Sequence, residues 1–491
     1  MPDYHDATKH TVASVMYSSH FLDWSNEPSP FRAYPGAPRV ALARRPAPIP
    51  GGTLATIAAL GEPARDVGLD ADSLASFLFH SVAISAWKEV ATTGFRYSLR
   101  VDPSSGNLHP TETWLALRGV PGFDDGLWHY DVRAHALERR RDGDAVGAIA
   151  RATGDASIGA CRAVAVLSSI FWREAWKYRD RAFRYCLHDA GHVAGSLLVA
   201  ARALGFRGEA RGAFDDRALN AALAIAADDG ERALLVLPLR EATDTAPAAS
   251  TGLGPPLGEP EPRRFEWDHP AIEESSARAE PAAVPGPGAR PLPSRRDDEL
   301  AAVTRRRRSA LGFDPAARMP LEDFAALLAH ATHRPPSDFG EPLVALHPFA
   351  HAIDGLAPGA YRHDARTGEL ALVVAGDQRR TAMGLSLSQE IAGDAVAAFA
   401  MAADLLRARD AAGGRGYRYA LMEAGLIGQL LYLGAEALGL NATGIGAFYD
   451  DDVNRHLALA APATQVVYHF AVGRAVPDPR LVTVTDGIEA E

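Results

Sequence analysis

Residues 100–110, RVDPSSGNLHP, concentrate small polar side chains around one glycine. Ser104, Ser105 and Asn107 supply two hydroxyls and an amide, and the turn residues around them leave backbone N–H groups free. Such donors and acceptors suit a ring that carries several carbonyls and nitrogens. The same residues also make ordinary turns, so the segment taken alone leaves a binding loop and a plain turn both open.

Four arginines precede Ser309 in the stretch RRRRSALGF, residues 305–313. A guanidinium pairs with phosphate through two parallel hydrogen bonds, and a hydroxyl or a helix N-terminus adds donors. The stretch therefore favours a phosphate clamp, with a solvated basic patch as the alternative.

Lys177 and Tyr178 stand next to each other in WKYRDRAFRY, residues 176–185. A desolvated lysine can act as a base, and a tyrosine can donate or relay a proton. The alternative is a surface lysine beside a packed tyrosine.

His188 and His192 are four residues apart and share one helix face. Zinc uses such pairs but needs at least one more ligand, and no HExxH motif or cysteine partner accompanies them. We therefore predict no metal site, and we expect His192 to be a packed or substrate-side residue.

The chain contains an internal duplication. Residues 184–229 align with residues 418–463 at a constant offset of 234, with about nineteen identities and no gap. The identities include the pairs Arg184/Arg418, Gly191/Gly425, Gly205/Gly439, Phe214/Phe448 and Asn220/Asn454. Matched residues of these types are not an effect of a shared Ala/Leu-rich composition, so the two halves are copies of one unit.

Each copy predicts one long helix that ends before Gly205 or Gly439, because glycine suits the residue after a helix. Strand-like segments lie before and after this helix, among them TETWLAL and ALLVLPLR in the first copy and VVYHFAVGR in the second. The pattern indicates the α+β class with two halves. Fused copies of one domain favour an intramolecular pseudo-dimer with a site between them.

The duplication also separates structural positions from functional ones. Structural residues should be kept in both copies, whereas the stretch AAGGRGYRY of the second copy has no Lys-Tyr pair. Lys177 and Tyr178 are therefore candidates for a function that one half alone performs.

The composition of the chain limits the class of protein, its location and its division into domains. The chain has 491 residues, a net charge of −11 and two cysteines, which argues against nucleic-acid binding, a disulfide scaffold and a cysteine-rich metal site. No signal sequence or bilayer-length apolar run is visible, so we expect a cytoplasmic protein without a membrane partner. A Pro/Ala/Gly-rich linker at 241–298 separates domain 1, residues 1–240, from domain 2, residues 299–491. An aromatic segment within it, RRFEWDHPAI, is expected to dock on a domain.

Together these features resemble the nitroreductase-like FMN oxidoreductase superfamily, and within it the SagB/ThcOx branch of azoline dehydrogenases. The resemblance covers nearly the whole chain. The elements that carry it are YHDATKH and FLDWSNEPSPFRAYP at the start, RVDPSSGNLHPTE, the Lys-Tyr pair before RYCLHDAGH, RRRRSA, and GIGAF with the helix after it.

The resemblance implies a fused dimer of two tandem nitroreductase-like domains with one FMN at their interface. The clamp would hold the phosphate, the polar loop would contact the flavin from the other half, GIG would approach flavin N5, and the last core strand would add a phosphate contact. The cofactor residues so implied are Arg100, Ser104, Ser105, Asn107, Arg307, Arg308, Ser309, Gly444, Ile445, Gly446 and Arg474.

The same resemblance implies a single intact site. The first half offers only TKHTVAS where the clamp should be, and the second half has EPLVALHPFAHAIDG, residues 341–355, where the loop should be. Arg211, in the counterpart of GIG, would stand where a second flavin needs space. Leu311 departs from the family, since many members carry a third arginine there.

Lys177 and Tyr178 match the catalytic pair of the azoline dehydrogenases. The implied reaction removes a proton from a thiazoline or oxazoline in a small molecule or peptide and passes a hydride to flavin N5, after which oxygen reoxidises the flavin. A cyclodehydratase is the implied partner, and the internal pseudo-dimer is compatible with a monomer, with further oligomerisation left open. Two alternatives stay open: an NAD(P)H-dependent nitro or quinone reductase, and a flavin-free scaffold of a peptide-modifying complex.

Overall fold

The structure is a computed structural model that describes residues 2–18, 21–90, 94–226, 230–244, 252–260, 291, 294 and 296–484. The aromatic segment at 263–272 lies outside these residues. The α-helices are α1 Pro2–Ala7, α2 Val12–Met16, α3 Thr53–Ala58, α4 Ala71–Phe79, α5 Ala145–Thr153, α6 Phe171–Tyr178, α7 Ala182–Leu204, α8 Asp216–Leu223, α9 Leu300–Arg306, α10 Leu321–Ala331, α11 Arg379–Leu385, α12 Glu390–Asp394, α13 Leu405–Ala412, α14 Arg415–Ala437 and α15 Asp450–His456.

The strands follow the same chain-order numbering. They are β1 Arg39–Ala41, β2 Ile84–Val90, β3 Phe95–Arg100, β4 Thr111–Leu117, β5 Gly126–Asp131, β6 Ala136–Asp142, β7 Ala163–Ile170, β8 Arg207–Gly208, β9 Glu231–Arg240, β10 Met319–Pro320, β11 Val344–Ala350, β12 Ile353–Asp354, β13 Gly359–His363, β14 Leu370–Ala375, β15 Ala397–Asp404, β16 Asn441–Ile445, β17 Thr464–Gly473 and β18 Leu481–Thr483.

Each half is built on an antiparallel sheet, and the two sheets have the same strand order. The first is β1-β6-β5-β4-β7-β9-β8, and the second is β14-β13-β11-β15-β17-β16. Apart from the edge strand β1, every strand of the first sheet has a counterpart in the second. The predicted α+β class and the tandem arrangement are confirmed.

The central strands β7 and β15 carry almost unbroken apolar runs and are buried along nearly their whole length. They are covered because the two long helices pack between the sheets, and one apolar core runs through both halves. Two segments cross between the halves. The last strand, β18, pairs with β2 of the first half, and α1 packs its His5 against Tyr417 of the second.

Helices α7 and α14 have 23 residues each and cross at two equivalent glycines. A Cβ atom on Gly191 would overlap the Met422 carbonyl oxygen, and one on Gly425 would overlap the His188 carbonyl oxygen. The glycines therefore set how closely the helices approach. α7 ends where the sequence predicts, with Gly205 in the left-handed region at φ 100°.

Reciprocal buried ion pairs join the halves beside this crossing. Asp450 accepts hydrogen bonds from Arg184 at 2.7 Å and from Arg181 at 3.0 Å. Its counterpart Asp216 accepts from Arg418 at 3.0 Å and from Arg415. Each aspartate thus compensates two guanidiniums of the other half.

Part of the predicted linker is held against the first half. The N–H groups of Gly254 and Leu257 donate to the carbonyls of Asp142 and Arg140, both at 2.8 Å, which places residues 252–260 along the end of β6. In the described ranges, no helix combines the length and the apolar character needed to cross a bilayer.

Replacing either interface aspartate tests the ion pairs. Asp216→Asn and Asp450→Asn each leave two buried guanidiniums without a counter-charge, so each should lower the free energy of unfolding by about 3–5 kcal/mol. Urea unfolding of the full chain measures the effect. Equal losses are expected because the sites are symmetric, and a loss below about 1 kcal/mol, as for a surface pair, would contradict the assignment.

Candidate functional site

A cavity of about 960 Å³ lies between the halves. Its walls come from the segment after the 3-10 helix Trp24–Asn26, from β2 and β3, from the loop after β3, from α6, and from residues 307–311 of the second half. Seven of the predicted residues line it: Arg100, Ser104, Asn107, Lys177, Arg307, Arg308 and Ser309.

The polar loop is fixed to α7 by Asp189. This carboxylate accepts hydrogen bonds from Ser104 Oγ at 2.6 Å, Ser105 Oγ at 3.0 Å and the Ser105 N–H at 3.1 Å. The two hydroxyl protons are therefore committed to Asp189. Gly106 and Asn107 both have positive φ, 62° and 61°, so the loop turns sharply where it meets the cavity.

Asn107 links the polar loop to β3 and to His109 by hydrogen bonds. Its amide NH₂ donates to the Ser98 carbonyl at 3.0 Å, and its carbonyl oxygen lies 3.1 Å from Nε2 of His109. Burial lowers the pKa of His109 to about 4, with further lowering from the charge of Arg100. His109 is therefore a neutral donor or acceptor at neutral pH, and Asn107 holds it.

Lys177 and Tyr178 end helix α6 directly beneath the glycine of the loop. A Cβ atom on Gly106 would lie 2.8 Å from Tyr178 Oη and 3.1 Å from Lys177 Nζ. Lys177 lines the cavity, whereas Tyr178 lies behind it and stacks at a tilt on Tyr185, with ring centroids 4.5 Å apart. The structure thus brings the Lys-Tyr pair and the polar loop together.

The residue after this pair is strained. Arg179 has φ 51° and ψ −134°, a region that glycine favours, and its counterpart Gly413 has φ 59° and ψ −137°. A non-glycine residue in such a region costs on the order of 1–3 kcal/mol and is common at functional sites.

Arg307 and Arg308 form a cationic wall with no carboxylate partner among the described residues. Their hydrogen bonds go to backbone carbonyls, from Arg307 to Val101 at 2.7 Å and from Arg308 to Ser85 at 2.6 Å. Nη1 of Arg307 and Nε of Arg308 are buried and have no hydrogen-bond partner in the described part of the chain. Burial, together with the charges of Arg307 and Arg305, lowers the pKa of Arg308 to about 9. An anion at this wall would accept hydrogen bonds from the unpartnered N–H groups, and its charge would offset both the cost of burying the guanidiniums and the repulsion between them. The residues therefore fit a phosphate.

Ser309 connects the clamp to the GIG segment. Its Oγ lies 2.8 Å from Tyr432 Oη, which accepts the Gly444 N–H at 2.9 Å. Gly446 packs against the Tyr185 ring so closely that a Cβ would overlap it. Arg474, which follows β17, is exposed.

Six predicted residues are described by the structure but do not line the cavity. They are Ser105, Tyr178, Gly444, Ile445, Gly446 and Arg474. Their roles toward a cofactor stay predictions.

In the second half, Asp338 and Phe339 fill the position that is equivalent to the polar loop of the first half. Asp338 accepts the N–H groups of Gly212 and Ala213 at 2.7 and 3.0 Å, and Phe339 stacks on Tyr419 with ring centroids 4.6 Å apart. The segment 335–340, before β11, is therefore the counterpart of the polar loop.

One expectation about the second half needs correction. Residues 341–355, predicted to stand in the place of the loop, contain β11 and β12, because β11 is the counterpart of β4. The expectation that Arg211 obstructs a second flavin stays a prediction. Its guanidinium pairs with Asp155 at 2.9 Å.

His188 and His192 are buried packing residues. His188 stacks on Tyr468 with centroids 4.2 Å apart, and Nε2 of His192 lies 3.1 Å from Tyr468 Oη. Within the described parts of the chain, no three His, Cys, Asp or Glu side chains are grouped to hold a metal ion.

Two acidic residues at the site escaped the sequence prediction. Asp189 holds the loop, and Glu174, on α6, is fully buried close to Asp189, where burial together with the Asp189 charge raises the pKa of Glu174 above its usual value. One signal was available, because a carboxylate inside the apolar α7 needs a partner.

Comparison with known proteins agrees with this architecture. The model of the Nitroreductase family matches residues 46–239 and 304–474. A protein of Methanocaldococcus jannaschii named as a nitroreductase is 30% identical over 138 residues, which cover 28% of this chain and 68% of that protein. The chain belongs to the nitroreductase family and is an oxidoreductase of that family.

One solved structure is similar over nearly the whole chain, both halves included. A crystal structure of a nitroreductase from Anabaena variabilis has a TM-score of 0.77 and 26% identity, covering 96% of this chain and 99% of that chain. A nitroreductase of Exiguobacterium sibiricum, solved in complex with FMN, has 16% identity and a TM-score of 0.27 and covers 36% of this chain and 87% of that chain.

The pH dependence of stability tests the surroundings of Asp189. Burial raises its pKa to about 7 against the lowering effect of the serine hydrogen bonds. A raised carboxyl pKa favours the folded state below the unfolded value near 4, and this contribution is lost as pH rises toward 7. Relative to Asp189→Asn, the wild type should therefore lose about 2–3 kcal/mol between pH 5 and pH 8.

Urea unfolding at the two pH values measures this difference. Asp450→Asn is the matched control. The two arginines outweigh burial and hold the pKa of Asp450 at about 2, so its difference from wild type should not change over this range. A difference for Asp189→Asn that is equally flat would contradict the raised pKa.

Proposed function

We propose that the protein is an FMN-dependent dehydrogenase of the SagB/ThcOx type, which oxidises an azoline or a related intermediate in a small molecule or peptide. The observation that carries this proposal is the position of Lys177 and Tyr178 at the cavity loop in one half, where the other half has Ala411 and Ala412.

The clamp fits the phosphate of FMN. Arg307 and Arg308 offer buried N–H groups that have no partner among the residues the structure describes, and Ser309 adds a hydroxyl at the same wall. The polar loop faces this wall from the first half, so both halves would contribute to one cofactor. When bound, FMN would supply a two-electron acceptor for hydride.

One FMN per chain follows from the difference between the halves. Asp338 and Phe339 occupy the loop position of the second half, where Asp338 accepts the N–H groups of Gly212 and Ala213 and Phe339 stacks on Tyr419. In the first-half loop, Gly106 has no side chain and lies in the wall of the cavity. The closed position supports a single cofactor site.

The residues at the cavity can be assigned separate roles in the proposed reaction. Lys177 Nζ, in the cavity wall, would take the proton from the ring carbon of the substrate. Burial and the charge of Glu174 raise the pKa of Tyr178 well above its usual value, so its hydroxyl stays protonated and can donate. Trp24, Phe95 and Leu311 are 66%, 61% and 60% exposed at the cavity, and they offer an apolar rim for the substrate.

Family membership favours a second candidate, an NAD(P)H-dependent nitro or quinone reductase, which needs no Lys-Tyr pair. Rapid bleaching of the bound flavin by NAD(P)H would identify it. A protein that stays colourless after FMN addition would instead be a scaffold. For the dehydrogenase, we propose a cyclodehydratase as the enzyme that supplies the azoline.

The Lys-Tyr pair is tested by Lys177→Ala and Tyr178→Phe. Each should reduce azoline oxidation by 10²-fold or more, since general acid–base groups contribute about 10²–10⁴-fold. Flavin content should stay at the wild-type level, because neither side chain belongs to the clamp. Turnover measured by product mass, with full activity in both variants, would refute the assigned roles.

The cross-half cofactor site is tested by Arg308→Ala and Asn107→Ala. Both should weaken FMN binding by about tenfold or more, because a charge-assisted hydrogen bond is worth about 1.5–3 kcal/mol and the loop depends on its asparagine. Fluorescence titration gives affinity and stoichiometry. Asp338→Asn is the control, because Asp338 lies in the second-half counterpart of the polar loop. This variant should bind FMN with the wild-type affinity. Two FMN per chain would refute the single site.

A further inference from the structure

Tyr432, on helix α14, contacts three parts of the predicted cofactor site. Its Oη lies 2.8 Å from Ser309 Oγ and accepts the N–H of Gly444 at 2.9 Å. The Arg307 guanidinium lies over its ring, 4.9 Å from the ring centroid. The side chain is 2% exposed, so its hydroxyl depends on these protein partners. One buried phenol thus connects the phosphate clamp to the GIG segment.

The first half shows that the fold does not need this hydroxyl. At the constant offset of the repeat, Leu198 corresponds to Tyr432 and Ala210 corresponds to Gly444. Leu198 packs its hydrocarbon side chain against β8, the counterpart of β16. The N–H of Ala210 donates to the backbone carbonyl of Pro336 at 2.9 Å. The phenol therefore belongs to the half that carries the clamp, whereas an apolar side chain and a backbone acceptor serve in the other half.

The direction of these hydrogen bonds follows from the donors and acceptors available. A backbone N–H can only donate, so Gly444 occupies a lone pair of Tyr432 Oη. The phenol has one proton, and Ser309 Oγ is its only acceptor in the part of the chain that the structure describes. Because a buried hydroxyl proton without an acceptor is costly, the phenol donates to Ser309. Ser309 Oγ therefore accepts, and its own proton is left for a different acceptor.

Ser309 contacts both the buried phenol and the cavity. It is exposed and lines the cavity wall next to Arg307 and Arg308. Within the described ranges, Tyr432 is the hydrogen-bond partner of its Oγ, and no second one is present. An anion held by the two arginines would supply the missing acceptor. Hydrogen bonds that run in one direction polarise one another, which makes the last hydroxyl of such a series a stronger donor.

We propose that Tyr432 is a positioning residue that fixes the Ser309 hydroxyl as a donor to an anionic phosphate ester. This proposal rests on the proposed function, in which the clamp holds the phosphate of FMN. The series from the Gly444 N–H through the Tyr432 O–H to the Ser309 O–H would end at that phosphate. A flavin without the phosphate would leave the last donor unused. Tyr432 therefore contributes to the preference for the phosphorylated flavin.

The ratio of the affinities for FMN and riboflavin tests this role without turnover. Riboflavin has the same ring and ribityl chain but no phosphate, so a general loss of structure weakens both ligands and cancels in the ratio. Fluorescence titration of the full chain, freed of flavin, gives both dissociation constants. Tyr432→Phe keeps the ring beneath Arg307 and removes the hydroxyl. It should reduce the preference for FMN at least about threefold, because the Ser309 hydroxyl is no longer held as a donor.

A double-mutant cycle shows whether Tyr432 acts through Ser309. Ser309→Ala should reduce the preference for FMN by about tenfold or more, because it removes a hydrogen bond to a charged acceptor. Adding Tyr432→Phe to Ser309→Ala should change the preference no further, since the hydroxyl to be held is gone. A double variant whose loss equals the product of the two single losses would overturn the proposal. An undiminished preference in Tyr432→Phe would overturn it as well.

Tyr130→Phe is the matched control. Tyr130 is also buried, and its hydroxyl lies 2.7 Å from Nδ1 of His135 within the first half. It does not line the cavity, so this variant should keep the wild-type ratio. If Tyr432→Phe does not fold, Tyr432→Leu, which copies Leu198, takes its place and should lose at least as much of the preference.

The wild type separates this proposal from the proposed function. Equal affinity of the wild type for FMN and riboflavin would remove the clamp, and both the cofactor assignment and this proposal would fail. A preference for FMN that survives Tyr432→Phe would overturn the role of Tyr432 and leave the clamp in place. Full activity of Lys177→Ala would remove the proposed dehydrogenase, whereas the flavin ratios would still decide the role of Tyr432.

Discussion

The structure depends on the exchange of charge across its pseudo-two-fold axis. Asp216 and Asp450 are buried, and each would be unstable alone in an apolar interface. Two arginines from the opposite half compensate each of them, so each of these aspartates depends on the other half for its counter-charge. The long helices can then approach at their glycines, and the cavity forms where the first-half loop meets the clamp of the second half.

The two halves keep what the interface needs and differ where chemistry is expected. Arginine pairs, crossing glycines and sheet order occur in both copies. The loop glycine, the Lys-Tyr pair and Glu174 occur in the first half, while the corresponding segment of the second half is filled by Asp338 and Phe339. In a symmetric dimer of identical chains, every residue occurs at both equivalent positions, so a residue that suits one position must also be tolerated at the other. After duplication, the two copies can differ at these positions.

Much of this could be predicted from the sequence. The constant offset of the repeat gave the tandem fold, and the Lys-Tyr pair and the polar loop were found by their residue types. The position of the second-half loop was missed because 335–340, PPSDFG, shares with PSSGN only a Pro-Ser pair and has Asp338 and Phe339 where the first half has Ser105 and Gly106. Asp189 and Glu174 were missed because their meaning depends on contacts between α6, α7 and the loop, which no local pattern records.

Joining the halves in one chain has a consequence for dilution. Residues 252–260 fasten part of the connection to the first half, and β18 returns to pair with β2. In a dimer of separate chains, a site built from both partners disappears when the protein concentration falls below the dissociation constant. In this chain the partner is always present at a high effective concentration, so the shared cavity does not depend on how much protein the cell makes.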